Sequence, residues 1–176
     1  MRPPAPRHPL ASQEGRPKAL NALGTLAYHP ALTEAFNTFN GHILFASSLS
    51  PRERELVVLR VACLRRCDYE WAQHTVLAHD AGLTVDEIKR VVVGGEADGW
   101  SELEQALLRA VDELVEEATL SDQTWSTLTR AFDEKQMLDL VFTVGAYDAL
   151  AMAFRSFDVA IDPDLADHEL RVPREP

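Results

Sequence analysis

Apolar residues recur every three to four positions along most of this chain. The clearest run is Leu103, Ala106, Leu107, Ala110, Val111 and Leu114, which marks one face of a 3.6-residue helix. Start and stop signals stand between such runs. Ser50-Pro51-Arg52-Glu53 is a capping box with proline at the first helical position, and Thr84-Val85-Asp86-Glu87 and Ser101-Glu102-Leu103-Glu104 repeat the form. Asp133 followed by Gln136 is a looser fourth. Gly82 and Gly94-Gly95 supply stops, because glycine readily takes the left-handed conformation that ends a helix. No alternating strand pattern and no hairpin dipeptide between β-branched runs interrupts the series. The spacing predicts helices near 30–46, 51–66, 69–81, 85–93, 102–118, 122–132 and 134–157, and therefore an all-α fold.

Two of these segments lack a polar face. Residues 56–64 break only at Arg60, and 134–157 carries Met137, Leu138, Leu140, Val141, Phe142, Val144, Tyr147, Leu150, Met152, Phe154 and Phe157. A helix without a polar face is buried on all sides, in a domain centre or at a subunit contact. A chain of 176 residues struggles to bury two completely, which predicts a homo-oligomer. Residues 1–25 read as a flexible proline-rich arm, 26–162 as one domain, and 163–176, after Asp162-Pro163-Asp164, as a tail.

Composition narrows the possibilities. A net charge of -11 argues against nucleic acid, since phosphate binding needs a basic face. No apolar run reaches the roughly 20 residues of a membrane span, and Met1-Arg2-Pro3-Pro4-Ala5-Pro6-Arg7-His8-Pro9 has no signal-peptide apolar region. Two cysteines at i and i+4 make no disulfide framework, so a reducing cytoplasm is expected. On a continuous helix Cys63 and Cys67 would stand about 5–6 Å apart at Cβ, against about 3.8 Å in a disulfide.

The chemistry concentrates in Cys67-Asp68-Tyr69-Glu70-Trp71-Ala72-Gln73-His74. Thiol, carboxylate and imidazole at i, i+3 and i+7 share one helical stripe. Twelve residues before the thiol, Glu55 opens an apolar run and faces the core with Leu59 and Ala62. Burial raises a carboxyl pKa and a nearby imidazolium lowers it, so such a pair is tunable for acid–base work. The plainer reading of Glu70 and His74 is a surface ion pair contributing about 0.3–0.5 kcal/mol. Cys67 precedes its helix, where the dipole and Arg65 and Arg66 favour a thiolate, while Cys63 suits a small buried hydrophobe. Cys67, Glu70 and His74 could ligate zinc, but no second cluster supports them, and His79 lies on another face. The reading takes no metal and no cofactor.

At these residues the chain resembles the carboxymuconolactone decarboxylase/alkylhydroperoxidase D-like superfamily. The peroxidase branch carries Glu-x11-Cys-x-x-Cys-x-x-x-His, matched here at Glu55, Cys67 and His74. Ala78-His79-Asp80-Ala81-Gly82-Leu83-Thr84 resembles the family turn into the next helix, and the run from Phe142 to Met152 resembles the closing helix of decarboxylase-like members. The resemblance covers residues 30–162 and implies an all-α domain assembling into trimers or hexamers, with a dimer as alternative. It gives Glu55 and His74 a proton relay. Glu70 stands where the peroxidase branch has its second cysteine, and a carboxylate cannot resolve a sulfenic acid.

The resulting expectation is a cofactor-independent acid–base enzyme acting on a small carboxylated or lactone-like metabolite. His74 is the principal acid/base, Glu55 relays its proton, and Glu70 positions or shares it. Cys67 lines the pocket, with Tyr69, Arg65 and Arg66 binding substrate. A single-cysteine thiol peroxidase through Cys67 and a non-catalytic oligomer that binds a small ligand remain open beside it.

Overall fold

The start signals all cap helices in the computed structural model, which describes residues 18–165 and 172. The order is α1 (Leu20–Leu26), α2 (Pro30–Phe45), α3 (Pro51–Leu64), α4 (Asp68–Asp80), α5 (Val85–Val91), α6 (Glu102–Glu117), α7 (Asp122–Leu128) and α8 (Glu134–Ser156). A short 3₁₀ turn follows at Pro163–Leu165, and among the described residues there is no strand. Ser50 with Glu53, Thr84 with Glu87, Ser101 with Glu104 and Asp133 with Gln136 each form the reciprocal capping box. The fold is all-α, as the spacing predicts.

Helix α3 is the central element, packed against α4, α6 and α8. Residues 55–62 are all buried, including the polar interruption Arg60. Its guanidinium forms a bidentate pair with Asp112 at 2.6 and 3.0 Å and donates to the carbonyls of Val91 and Val92 at 2.9 and 2.7 Å. A buried cation is tolerable only with such partners. Gly94, at φ 90°, makes room for it: a Cβ there would come within 2.7 Å of Arg60 Nη2.

Two expectations change. Helix α8 is not buried all round in the single chain. Leu140, Val144, Tyr147, Ala151 and Phe154 face the core, whereas Leu138, Phe142 and Met152 are more than half exposed. Apolar composition alone cannot separate a core face from a contact face. By length and hydropathy α8 could also cross a membrane, but just over half of that window is buried against the rest of the fold.

The second change is α1, which falls where the end of a flexible arm is expected. Seven residues without a capping side chain at Ala19 leave no local signal. The helix is held from a distance by Asp162, whose carboxylate accepts the N–H groups of Leu20 at 3.0 Å and Asn21 at 2.8 Å. Packing also continues past residue 162, since Leu165 and Val172 are buried. Residues 1–17, and 166–176 apart from Val172, lie outside the described residues, and most of the expected arm and tail with them.

Candidate active site

Glu55 comes from the first half of α3 and His74 from the middle of α4, and the packing of the two helices brings them together. His74 Nδ1 lies 2.7 Å from Glu55 Oε2, in a pair whose side chains are almost fully buried. The other Glu55 oxygen accepts from Arg54 Nε and Nη2, each at 3.2 Å. Arg54 is fixed further by the Leu44 carbonyl at 3.3 Å. A guanidinium, a carboxylate and an imidazole thus stand in series. With Nδ1 held, the ring is oriented and Nε2 is the nitrogen left to act. The Tyr147 ring of α8 meets the imidazole edge-on, centroids 4.9 Å apart.

Glu70 lies one turn before His74 on the same face of α4. Only 2% of it is exposed, and neither carboxyl oxygen has a hydrogen-bond partner. Burial pushes this carboxyl well above the usual carboxylate range; the Cys67 thiol acts in the opposite sense, and the charge of Asp148 adds to the rise. Burial likewise raises the Tyr147 phenol, aided by the charges of Glu55 and Glu70.

His74, Glu70 and Tyr147 line a cavity of about 590 Å³ enclosed by α1, α2, α4 and α8. That is an ordinary size for a small-molecule site, and as such sites usually are, it is walled mainly by apolar side chains.

Cys67 is placed differently from expectation. It is the N-cap of α4 but only 1% exposed, and it is not part of the cavity lining. Burial, then the charge of Glu70, pushes its thiol up to about 12, although the N–H groups of Tyr69 and Glu70 act in the opposite sense. Cys63 and Cys67 are both free thiols.

Arg65 and Arg66 do not reach the cavity. Arg65 pairs with Asp148 through Nε and through Nη2 at 3.2 Å, and donates to the Val115 carbonyl. Arg66 is exposed, at φ 51°. The Tyr69 ring lines the cavity, but its hydroxyl donates to Asp162 at 3.0 Å and accepts from the Ala22 N–H at 3.2 Å. Its polar end therefore braces the fold rather than facing a ligand.

Two functional residues escape sequence reasoning. Arg54 is next to Glu55 in the chain, and a guanidinium beside a core-facing carboxylate is a usable signal. Asp162, fully buried and also accepting from Gln73 Nε2 at 2.8 Å, carries no local signal.

A model of the carboxymuconolactone decarboxylase family matches residues 30–113, which hold the whole motif from Glu55 to His74. A protein of unknown function from Agrobacterium tumefaciens, named as a candidate AhpD antioxidant-defence protein, superposes with a TM-score of 0.70 at 21% identity. The match covers 78% of this chain and 94% of that one. An uncharacterised peroxidase-related protein with an alkylhydroperoxidase AhpD core, from Ralstonia eutropha, gives 0.73 at 16% identity over 88% and 82%. The debrominase Bmp8, solved with 2,3,4-tribromopyrrole bound, gives 0.67 at 14% identity over 82% and 83%. At such identities these likenesses show the fold. No curated protein sequence matches the chain.

Proposed function

We propose that this chain, which the carboxymuconolactone decarboxylase family model matches over residues 30–113, is a cofactor-independent enzyme that moves a proton at a carbon beside a carbonyl. The observation that carries this reading is the His74–Glu55 pair at 2.7 Å, set beside the unpartnered Glu70 carboxyl on the wall of an apolar cavity.

His74 Nε2 takes the proton from the substrate carbon. Glu55 holds the Nδ1–H and balances the imidazolium that forms. The electron pair from the C–H bond moves to the carbonyl oxygen, giving an enolate. A carboxylic acid kept neutral by its surroundings donates a hydrogen bond to that oxygen, which is the role assigned to Glu70. Return of the proton from Nε2 to the α-carbon regenerates the ketone or lactone, and its return to the γ-carbon of a conjugated dienolate completes a double-bond isomerisation.

The thiol peroxidase reading has less support. Cys67 is buried with its thiol raised to about 12, whereas a peroxidatic cysteine must be an accessible thiolate.

The test is deuterium incorporation from D₂O into enolisable ketones and lactones, followed by proton NMR. Wild-type protein accelerates exchange. His74→Gln abolishes that acceleration, and Glu55→Gln lowers it by about 10²–10⁴-fold. Unchanged exchange in His74→Gln overturns the proposal, as does peroxide consumption that depends on Cys67.

A further inference from the structure

The cavity lining divides into two chemistries. At the catalytic end stand Glu70, His74 and Tyr147. Along the rest run mainly apolar side chains, Leu23 and Leu26 from α1, Phe36 and Leu44 from α2, and Leu77 and Phe154 from α4 and α8, with the neutral amides Asn37, Asn40 and Gln73 among them.

The cations nearby already have partners. Arg54 is held by Glu55 and the Leu44 carbonyl, Arg65 by Asp148, and Arg60 by Asp112. None of the three lines the cavity. Lys18 is the cation among the lining residues, and it is exposed, two residues before α1. At the catalytic end a substrate carboxylate would meet Glu70, with the Glu55 carboxylate behind His74. A buried anion without a counter-charge is strongly disfavoured. A neutral carbonyl oxygen there is only an acceptor, the partner that a buried, unpartnered carboxyl group lacks.

We propose that the cavity takes a neutral apolar carbonyl compound, an aryl or alkyl ketone or lactone, whose oxygen accepts from Glu70 and whose body lies along the α1 and α2 side chains. Compounds carrying a carboxylate at the carbonyl end are rejected. This replaces the carboxylated metabolite expected from sequence, where Arg65 and Arg66 supply the counter-charge. It rests on the proposed proton transfer for its choice of a carbonyl, while its binding claim is read separately from turnover.

The experiment is displacement of the neutral fluorophore N-phenyl-1-naphthylamine from the full chain by a matched pair. These are 4-phenylbutan-2-one and 4-phenyl-2-oxobutanoate, which differ by a methyl against a carboxylate at the carbonyl. The ketone displaces the probe at a concentration lower by roughly tenfold or more. Leu23→Glu places a charge on the wall at a half-exposed position that tolerates it, and weakens both probe and ketone. Equal or tighter binding of the oxobutanoate overturns the inference, including where Lys18→Ala removes that binding and so locates the charge at Lys18. Failure of the probe or the ketone to bind, or indifference to Leu23→Glu, also overturns it. If the ketone is preferred but wild-type protein exchanges no deuterium into it, the catalytic reading falls and the ligand class stands.

Discussion

Asp162→Ala tests whether α1 is a docked lid over the cavity. The wild-type carboxylate is fully buried and accepts four hydrogen bonds, from the Leu20 and Asn21 amides, the Tyr69 hydroxyl and Gln73 Nε2, all at 2.8–3.0 Å. Each bond to a charged acceptor contributes about 1.5–3 kcal/mol, and orphaning several buried donors would exceed the stability of many domains. The chain has an easier response. Helix α1 is seven residues long, too short to persist alone, and Leu20 and Leu23 are already about half exposed. Once undocked, its two leading amides meet water instead of an empty site. The loss of global stability is then limited to what docking contributes, about 1–3 kcal/mol, or roughly 2–4 °C of Tm per kcal/mol in a chain of this size.

Hydrogen exchange separates the two responses. In Asp162→Ala the Leu23 and Ala27 amides, bonded to Ala19 and Leu23 carbonyls in the wild type, exchange about a hundredfold faster. That corresponds to about 2.8 kcal/mol of local opening. Amides of α3 slow or quicken only with global stability. Probe binding weakens as well, because Leu20, Ala22, Leu23 and Leu26 leave the cavity wall. Unchanged α1 protection combined with a core-like fall in Tm would refute the lid.

Three further outcomes follow from the same geometry. Because burial raises the Glu70 carboxyl in the native state, the folded chain holds a proton that the unfolded chain releases above a pKa near 4.3. Its contribution is complete below that pH and declines by about 1.4 kcal/mol per pH unit until the native carboxyl ionises. Urea unfolding of Glu70→Gln should therefore show a stability gain over wild type that is larger at pH 8 than at pH 5. A gain that does not grow between pH 5 and pH 8 would show Glu70 charged in the fold over that range. With its thiol raised to about 12, Cys67 should react slowly with iodoacetamide at pH 7.5 and quicken only well above pH 8.5; rapid labelling at neutral pH would contradict the burial argument. We also expect a homo-oligomer assembled through the exposed face of α8, where Phe142 and Phe39 of α2 meet edge-on at 6.0 Å. Phe142→Asp should shift light scattering toward the monomer, and a wild-type monomer at micromolar concentration would exclude the assembly.

What was legible in the sequence depended on the range of the forces involved. The helices were readable because their determinants are local: Ser50, Thr84, Ser101 and Asp133 each meet a partner three residues on. Glu55 was readable as core-facing because it shares an apolar helical stripe with Leu59 and Ala62, whereas its pairing with His74 came from the family resemblance. Helix α1 was not, because its cap comes from Asp162, 142 residues from Leu20. Arg65 was misplaced for a related reason. Proximity along the chain suggested a role beside Cys67, but Asp148, 83 residues away, claims its guanidinium. Arg54 shows the converse, since the working arginine adjoins Glu55 on the other side of the motif. In α8, apolar spacing marks residues all round the helix without telling which of them face the core.

The exchange of a thiol for a carboxyl at position 70 reshapes both of its neighbours. Cys67 occupies a helix start where the Tyr69 and Glu70 amides favour a thiolate. Opened to solvent and given a second thiol one turn on, that geometry would serve redox chemistry. Here the site is closed, and closure acts on thiol and carboxyl in the same direction, penalising the charged form of each. A charge on Glu70 makes a thiolate at Cys67 harder still, whereas the neutral thiol eases ionisation of Glu70 without cancelling the effect of burial. The burial that disables the thiol therefore also raises the Glu70 carboxyl on the cavity wall. Arg54 stands on the far side of Glu55 from His74, donating to its other oxygen at 3.2 Å without placing a cation in the cavity. A proton donor and a proton acceptor thus stand one helical turn apart in an apolar chamber, which suits a substrate that gains and loses protons and brings no charge of its own.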